Sequence, residues 1–497
     1  MRLHRDAIVA GPGFNRWLVP PAALAVHLSI GQAYAYSVFK LPLTRLLGVT
    51  APAPGDWSQT QIALVFTVFI VVLGLSAALF GRWVETAGPR KAGLAAACCW
   101  GGGYLVAALG VATHRLWLVY LGNGLIGGCG LGLGYISPVS TLLKWFPDRR
   151  GMATGLAIMG FGGGAIIGAP LADLLMKRFA TPSSTGVWQT FVAMGLIYFV
   201  AMTCGALGYR LPPPGYRPPG AVATVASAAP RDVHVRDAWR TPQFASLWIV
   251  LCANVSAGIG LLEQAAPMIQ EVFRVTVSAA AGFVGLLSLF NIAGRIAWAS
   301  LSDRIGRRAT YTIFFSLGML FYASLPFASR AGSVGLFVAL VCLILTMYGG
   351  GFATIPAYLS DLFGTQFVGA IHGRLLTAWS VAGVVGPLLV NLIRQRRIDA
   401  GAAPADAYNT TMWVLAGLLV AGFVCNLMVR PLRDDRDTSR GPETPAPAPA
   451  ATPSVVAAAP GFESGRFWLV AASWTLVGSA FAWGVLQTLA KASQLFR

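Results

Sequence analysis

The chain has 497 residues, 56% of them hydrophobic and only 11% charged, with a mean hydropathy of +0.66. Soluble domains carry about 25% charged residues, so a water-facing surface is missing and a lipid bilayer is the expected surrounding. The net charge of +18 comes from short basic bursts between apolar runs, without the basic face and interleaved aromatics that nucleic-acid binding needs; no nucleic-acid partner is expected.

The N-terminal stretch MRLHRDAIVAGPGFNRW has no apolar core followed by a small-residue cleavage site, so no signal peptide is expected to be removed. Crossing a bilayer as a helix takes about 20 apolar residues. Runs of that kind fall near 17–39, 60–80, 92–112, 116–143, 152–176 and 187–209. They resume near 244–270, 279–301, 309–328, 334–358, 368–393 and 409–429. The sequence therefore predicts an all-α membrane protein, a bundle of twelve transmembrane helices in two six-helix halves, 1–210 and 242–430. Between them, 211–241 holds PPPGYRPPG and alternating charges, and serves as the linker. Residues 431–463 are rich in proline and alanine and read as disordered. A thirteenth apolar run near 467–490, within an additional helix over 464–497, carries Ala480 and Gly484 at small-xxx-small spacing. It is expected to cross once, packed on the bundle, leaving Arg497 outside.

Lysine and arginine bias sets orientation. With the N-terminus inside, the inner segments hold 21 basic residues and the outer loops 10. A cytoplasmic N-terminus in the cell membrane is expected; only the loop after the eleventh span, with Arg394, Arg396 and Arg397, runs against the bias.

The spans are rich in small residues, as in GNGLIGGCGLGLGYISP of the fourth and GFGGGAIIGAP of the fifth. Helices in lipid associate by close packing, which glycine permits; the same glycines suit a sliding seam. None follows a strand and no GxxxxGK[ST] occurs, so no nucleotide loop is present. All seven cysteines lie in apolar runs without metal-ligand spacing. No cofactor or metal is expected.

Ionisable residues inside spans are costly and mark function. Arg295 of the eighth span lies eight residues before Asp303, or about 12 Å deep. Ser288, Asn291 and Arg295 share one helix face, a polar stripe suited to a water-filled cavity. Arginine fits a carboxylate, because its planar fork donates two parallel hydrogen bonds and stays protonated. Glu263 of the seventh span shares a face with Ser256, Gly260 and Pro267 and is a candidate for proton coupling, with an interfacial carboxylate as the alternative. His27, on the face of Gly31 and Tyr34, is a second coupling candidate or a satisfied core histidine. His372 and Trp379 are seven apart in the eleventh span and face the same way, whereas Arg374 is turned away from them and ranks below Arg295.

Two short charged loops match each other 218 residues apart, GRWVETAGPRK at 81–91 and SLSDRIGRR at 300–308. Glu85 aligns with Asp303 and Gly88 with Gly306, each followed by a basic group, Arg90 or Arg307. The acids can accept from backbone N–H groups at a helix start while the basic residues hold the inner interface, a conformational latch without substrate contact. A chain that repeats itself in this way is a duplicated bundle, as in many secondary transporters.

The loop pair resembles the signature loop of the major facilitator superfamily, with Glu85 in place of the usual aspartate. The strings KWFPDRRGMATGLA (144–157), WRTPQFASLW (239–248), FNIAGRIAWASLSDRIGR (290–307) and SDLFGTQFVGAIHGRLLTAW (360–379) look like the oxalate/formate antiporter branch, in the right order across about residues 15–430. The resemblance implies that Arg295 grips a carboxylate, and that aromatics at Tyr34, Tyr36, Tyr135, Tyr348 and Phe352 line the site. Where the oxalate exchanger carries a second cation in the eleventh helix, this chain aligns Trp379. One fixed cation suits one carboxylate. The final helix is similar to a one-helix protein that accompanies some of these transporters.

A secondary carrier of small monocarboxylates such as formate, lactate or pyruvate, by exchange or proton symport, is therefore expected. The alternatives are an oxalate/formate-type dicarboxylate exchanger, an efflux carrier, which a lone buried arginine disfavours, and a transporter-like sensor. No HExxH, paired-histidine or Ser-His-Asp arrangement is visible, so an enzyme is not expected.

Overall fold

The computed structural model describes residues 4–218, 232–432 and 464–492. Among them the regular structure is helical, with no strand beyond two isolated bridges. Residues 219–231 of the predicted linker, nearly all of 431–463, and Arg497 lie outside the described residues.

The first half contains α1 (Val19–Ile30), α2 (Gln59–Ala87), α3 (Pro89–Ala112), α4 (Leu116–Trp145), α5 (Arg150–Phe179) and α6 (Val187–Gly208). The second contains α7 (Pro242–Phe273), α8 (Val277–Ile305), α9 (Arg307–Arg330), α10 (Val334–Phe363), α11 (Val368–Asp399) and α12 (Pro404–Met428). The C-terminal helix is α13 (Ser464–Ala492). Twelve helices of the described residues are long and apolar enough to cross a membrane, α2 to α13. The first predicted span is missing from that set because it is not one helix. α1 gives way at Gly31 to 3-10 geometry over Gly31–Phe39, then to a single α turn, Lys40–Leu43. A bundle of twelve spans plus a thirteenth helix results.

The helix ends follow local chemistry. Ser58 and Gln61 form a reciprocal capping box at the start of α2, and Thr241, Thr276 and Ser333 cap α7, α8 and α10. The duplicated loops are duplicates in backbone as well. Gly88 ends α2 at φ 90°, ψ 156°, and Gly306 ends α8 at φ 86°, ψ 152°. A positive φ of that kind is cheap only for glycine, which explains why the two loops share it.

The halves meet along two seams, α5 against α8 and α2 against α11, with α10 reaching α5. Glycine brings the first seam together: a Cβ on Gly162 of α5 would lie 2.8 Å from Nε of Arg295. One of the outlying basic residues of the eleventh span, Arg394, finds a partner. α11 runs on to Asp399, so Arg394 is helical, and its Nη2 donates to both oxygens of Glu271 at 2.6 and 2.8 Å. This pair is half-buried, while Arg396 and Arg397 are exposed.

Candidate functional site

Arg295 is fully buried at the centre of the molecule, where α5 and α8 cross. Its Nε donates to Oδ1 of Asn291 at 3.0 Å, one turn back on α8, and its Nη1 donates to the Ile158 carbonyl of α5 at 3.0 Å. Nη2 has no hydrogen-bond partner. Guanidinium has five N–H groups, so these two bonds leave one on Nη1 and two on Nη2, the pair of arms that grips a carboxylate side by side. Among the described residues no carboxylate pairs with it.

Aromatic rings enclose this cation. The Phe352 centroid lies 5.4 Å from Cζ and that of Phe161 5.9 Å away. Trp379 closes the cage at 4.6 Å from Phe352, 5.2 Å from Phe161, 5.3 Å from Tyr135 and 6.4 Å from Tyr34. Tyr34 of the first half and Tyr348 of the second meet hydroxyl to hydroxyl at 3.4 Å. The Tyr135 hydroxyl and the Trp379 indole N–H, like Arg295 Nη2, are buried without a partner. Three buried polar groups able to donate thus lie beside a positive charge without an acid, an arrangement that can receive an anion, because each group is costly unless a partner satisfies it.

Seven of the eight residues expected at the site are thus gathered around one point: Arg295, Asn291, Tyr34, Tyr135, Tyr348, Phe352 and Trp379. Tyr36 is not among them. Residues two apart on a helix point to opposite sides; Tyr36 turns into the first half, against Phe39 and beside Trp100, Tyr104 and Asn123. Phe161 belongs to the cage and the sequence did not single it out. Its only signal was an aromatic ring in a glycine-rich stretch of α5, where packing was the simpler explanation.

Of the coupling candidates, His27 and His372 pack against Tyr135 of the cage, with ring centroids 5.2 and 5.8 Å away, and Glu263 lies apart. Both ring nitrogens of His27 face carbonyl oxygens, Ala157 at 2.5 Å and Tyr135 at 3.0 Å, so this histidine ties α1 to α5 and α4. His372 is buried with both nitrogens unpartnered, its ring 5.8 Å from that of Tyr135. Glu263 is exposed on α7. Arg374 holds the linker, donating to the Val235 carbonyl at 2.9 Å with Trp239 beneath it.

The charged loops close the face that carries the N-terminus. Oε1 of Glu85 accepts from Gly369 N at 3.0 Å and Ser140 at 2.7 Å, and Lys144 donates to Oε2 at 2.5 Å. Asp303 accepts from Gly151 N at 2.8 Å and Met152 N at 2.9 Å, the first turn of α5. Arg307 holds Asp303 at 2.6 Å and Asp361 at 2.9 Å, and Arg150 joins Asp361 at 3.0 Å. Arg90 donates to the Tyr209 carbonyl within the first half at 2.9 Å. On the opposite side a cavity of about 610 Å³ runs from Tyr34 and Ser288 between α5 and α8 to the ion pair of Asp173 and Lys177. The structure is closed on one face and hollow toward the other.

The sequence profile of the Major Facilitator Superfamily matches residues 13–387, and the chain belongs to that family. It is a multi-pass membrane transporter, not an enzyme. Relatives include the oxalate:formate antiporter of Oxalobacter formigenes, 26% identical over 84% of this chain and 94% of that one. Another is apicoplast pyruvate carrier 1 of Toxoplasma gondii, 25% identical over 76% of each chain. The crystal structure of the E. coli fucose:proton symporter superposes with a TM-score of 0.61 at 13% identity, over 84% of this chain and all of that one, which shows the shared fold.

Proposed function

We propose that the chain carries small organic monocarboxylates, of the size of formate, lactate or pyruvate, across the cytoplasmic membrane by alternating access. One observation carries this: Arg295 is fully buried and has no carboxylate partner among the described residues. An unpaired buried cation costs several kcal/mol, and a bound carboxylate offsets that cost with two charge-assisted bonds from the free arms. The cage holds one cation and a bulky neutral indole, so a single carboxylate is matched and a second on the same ligand is left without a counter-charge. The names of the two relatives support the chemical class.

Alternating access follows from the seams. The latch on Glu85 and Asp303 holds the N-terminal face shut while the cavity beside Tyr34 leads to the other side. Breaking both caps and closing the cavity would expose Arg295 to the first face. The excess of basic residues on the N-terminal side supports a cytoplasmic N-terminus. Exchange of dicarboxylates is the second reading, favoured by the similarity to the oxalate:formate antiporter over 84% of the chain.

Uptake of labelled formate, lactate, pyruvate and oxalate into proteoliposomes tests the proposal. Saturable uptake of a monocarboxylate, with oxalate the weaker competitor, is expected. Uptake of oxalate in preference to every monocarboxylate would favour the second reading, and uptake of none would overturn both.

A further inference from the structure

α13 is seated on the α5–α8 seam, where the two halves meet. At its first end the Trp474 indole donates to the Trp17 carbonyl at 3.1 Å, so this end lies beside the start of α1. Further along, the Phe481 ring edge fills the space above Gly163 of α5, and Gly484 lies directly on Ile166 of the same helix. Toward its other end Thr488 rests on Gly285 of α8. One face of the helix thus touches both halves, and the remainder is bare, with Trp468 72%, Leu476 75% and Leu486 66% exposed.

The cavity that leads to the cage has four walls. Tyr34, Ser37 and Val38 come from the first span, Ala165 to Lys177 from α5, Ala281 to Ser288 from α8, and the fourth wall is Gln487 and Thr488 of α13. These two are adjacent polar residues in a run, LVGSAFAWGVLQTLA, whose one other polar side chain is Ser479. Gln487 is exposed and lines this cavity, and its amide would be costly if acyl chains alone surrounded it.

We infer that α13 is the lipid-side wall of the outer substrate path, and that the Gln487 amide contacts anions on their way to Arg295. The inference rests on the proposed transport function for its substrate class. Without α13 the slot between α5 and α8 would open sideways to acyl chains, and an anion in it would meet hydrocarbon in place of a donor. With α13 seated, every wall carries a polar residue among apolar ones: Tyr34 and Ser37, Asp173 and Lys177, Ser288, and Gln487 with Thr488.

Thiol accessibility in the full chain separates this role from simple anchoring. Gln487→Cys and Leu486→Cys are compared in liposomes with a membrane-impermeant charged thiol reagent added from the far side, against the background of the seven native cysteines. The Gln487→Cys thiol is expected to react at least about tenfold faster, since a thiolate forms in water and not in lipid. Equal rates at the two positions, or no reaction at position 487, would overturn the inference. The labelling is read without any substrate, so a wrong carboxylate assignment leaves this result intact. Gln487→Leu then tests the contact itself: uptake should fall several-fold with equilibrium binding at Arg295 unchanged. Uptake equal to that of the parent chain would remove Gln487 from the path.

Discussion

Glu85 and Asp303 each cap a helix that belongs to the other half of the molecule. Glu85, at the end of α2, accepts from Gly369 N at the start of α11, and Asp303, at the end of α8, accepts from Gly151 N and Met152 N at the start of α5. Equivalent acids in the two repeats reach across to equivalent helices, so the N-terminal face is shut by the same device twice. A carboxylate at a helix start meets free N–H groups and the positive end of the dipole together.

Removing one cap should therefore shift the conformational balance without unfolding the protein. Asp303→Ala is expected to cost the closed face about 1 kcal/mol, a factor of about five in population. Glu85→Ala acts at a separate helix start, so the two effects should add. Spin labels at Arg82→Cys and Gln366→Cys would read the separation of the halves. A distance distribution unchanged in the double variant would refute the latch.

Arg295→Lys keeps the charge and loses the fork. Lysine cannot hold Asn291 and the Ile158 carbonyl and still offer two parallel donors. Uptake should fall at least about tenfold, the equivalent of one charge-assisted hydrogen bond of about 1.5 kcal/mol or more. Normal size-exclusion behaviour together with normal uptake would remove Arg295 from the site.

Trp379→Lys should move preference from one carboxylate toward two. The new ammonium would share the cage with Arg295, so a monocarboxylate leaves one cation unmatched while oxalate neutralises both. Trp379→Gln, neutral and smaller, separates the effect of charge from that of lost volume. Thermal-shift titrations with acetate, lactate and oxalate check it; a lysine variant with the parent's ranking contradicts the one-cation account.

The loop after the first span holds a pH-dependent element. Partial burial pushes the Asp56 carboxyl up, but the Leu47, Ala53 and Gly48 N–H groups, with His114 nearby, outweigh it and hold its pKa below the usual value. A depressed folded pKa means that the stabilisation is complete above the unfolded value of about 3.9 and is lost as pH falls through the folded one. Asp56→Asn should lower the melting temperature at neutral pH, and the gap should narrow below about pH 4. A gap independent of pH would mean that the charge contributes nothing.

The duplication, the buried arginine and Asn291 beside it were legible from span length, charge and helix phase, whereas Tyr34, Tyr135, Tyr348, Phe352 and Trp379 came from the resemblance to the oxalate/formate antiporter branch. What the sequence hid depends on geometry. The first span reads as one apolar run; helix phase sets Tyr34 and Tyr36 on opposite sides, but which of them faces the cage is seen only in the structure, where the helix tightens at Gly31. Phe161 looked like packing because nothing in GFGGGA distinguishes a ring turned to a cavity from one turned to a neighbour. Arg394 looked like an outer-loop charge because its partner Glu271 is 123 residues away. The polar pair on α13 lay in a run judged by its length and its lack of charge, which a glutamine and a threonine leave unchanged.

Because α13 is continuous in sequence with α12 through residues 429–463, its supply at the α5–α8 groove is set by connectivity rather than by expression. A tethered partner sits at an effective concentration on the order of millimolar. Contacts as modest as Gly484 on Ile166 and Thr488 on Gly285 can then stay occupied at a strength that two separate chains, diluted in a membrane, would not hold. Stoichiometry is fixed at one helix for each bundle. Severing the chain within 433–463 while co-expressing both pieces would convert the same interface into a bimolecular one, whose occupancy varies with the amount of each fragment.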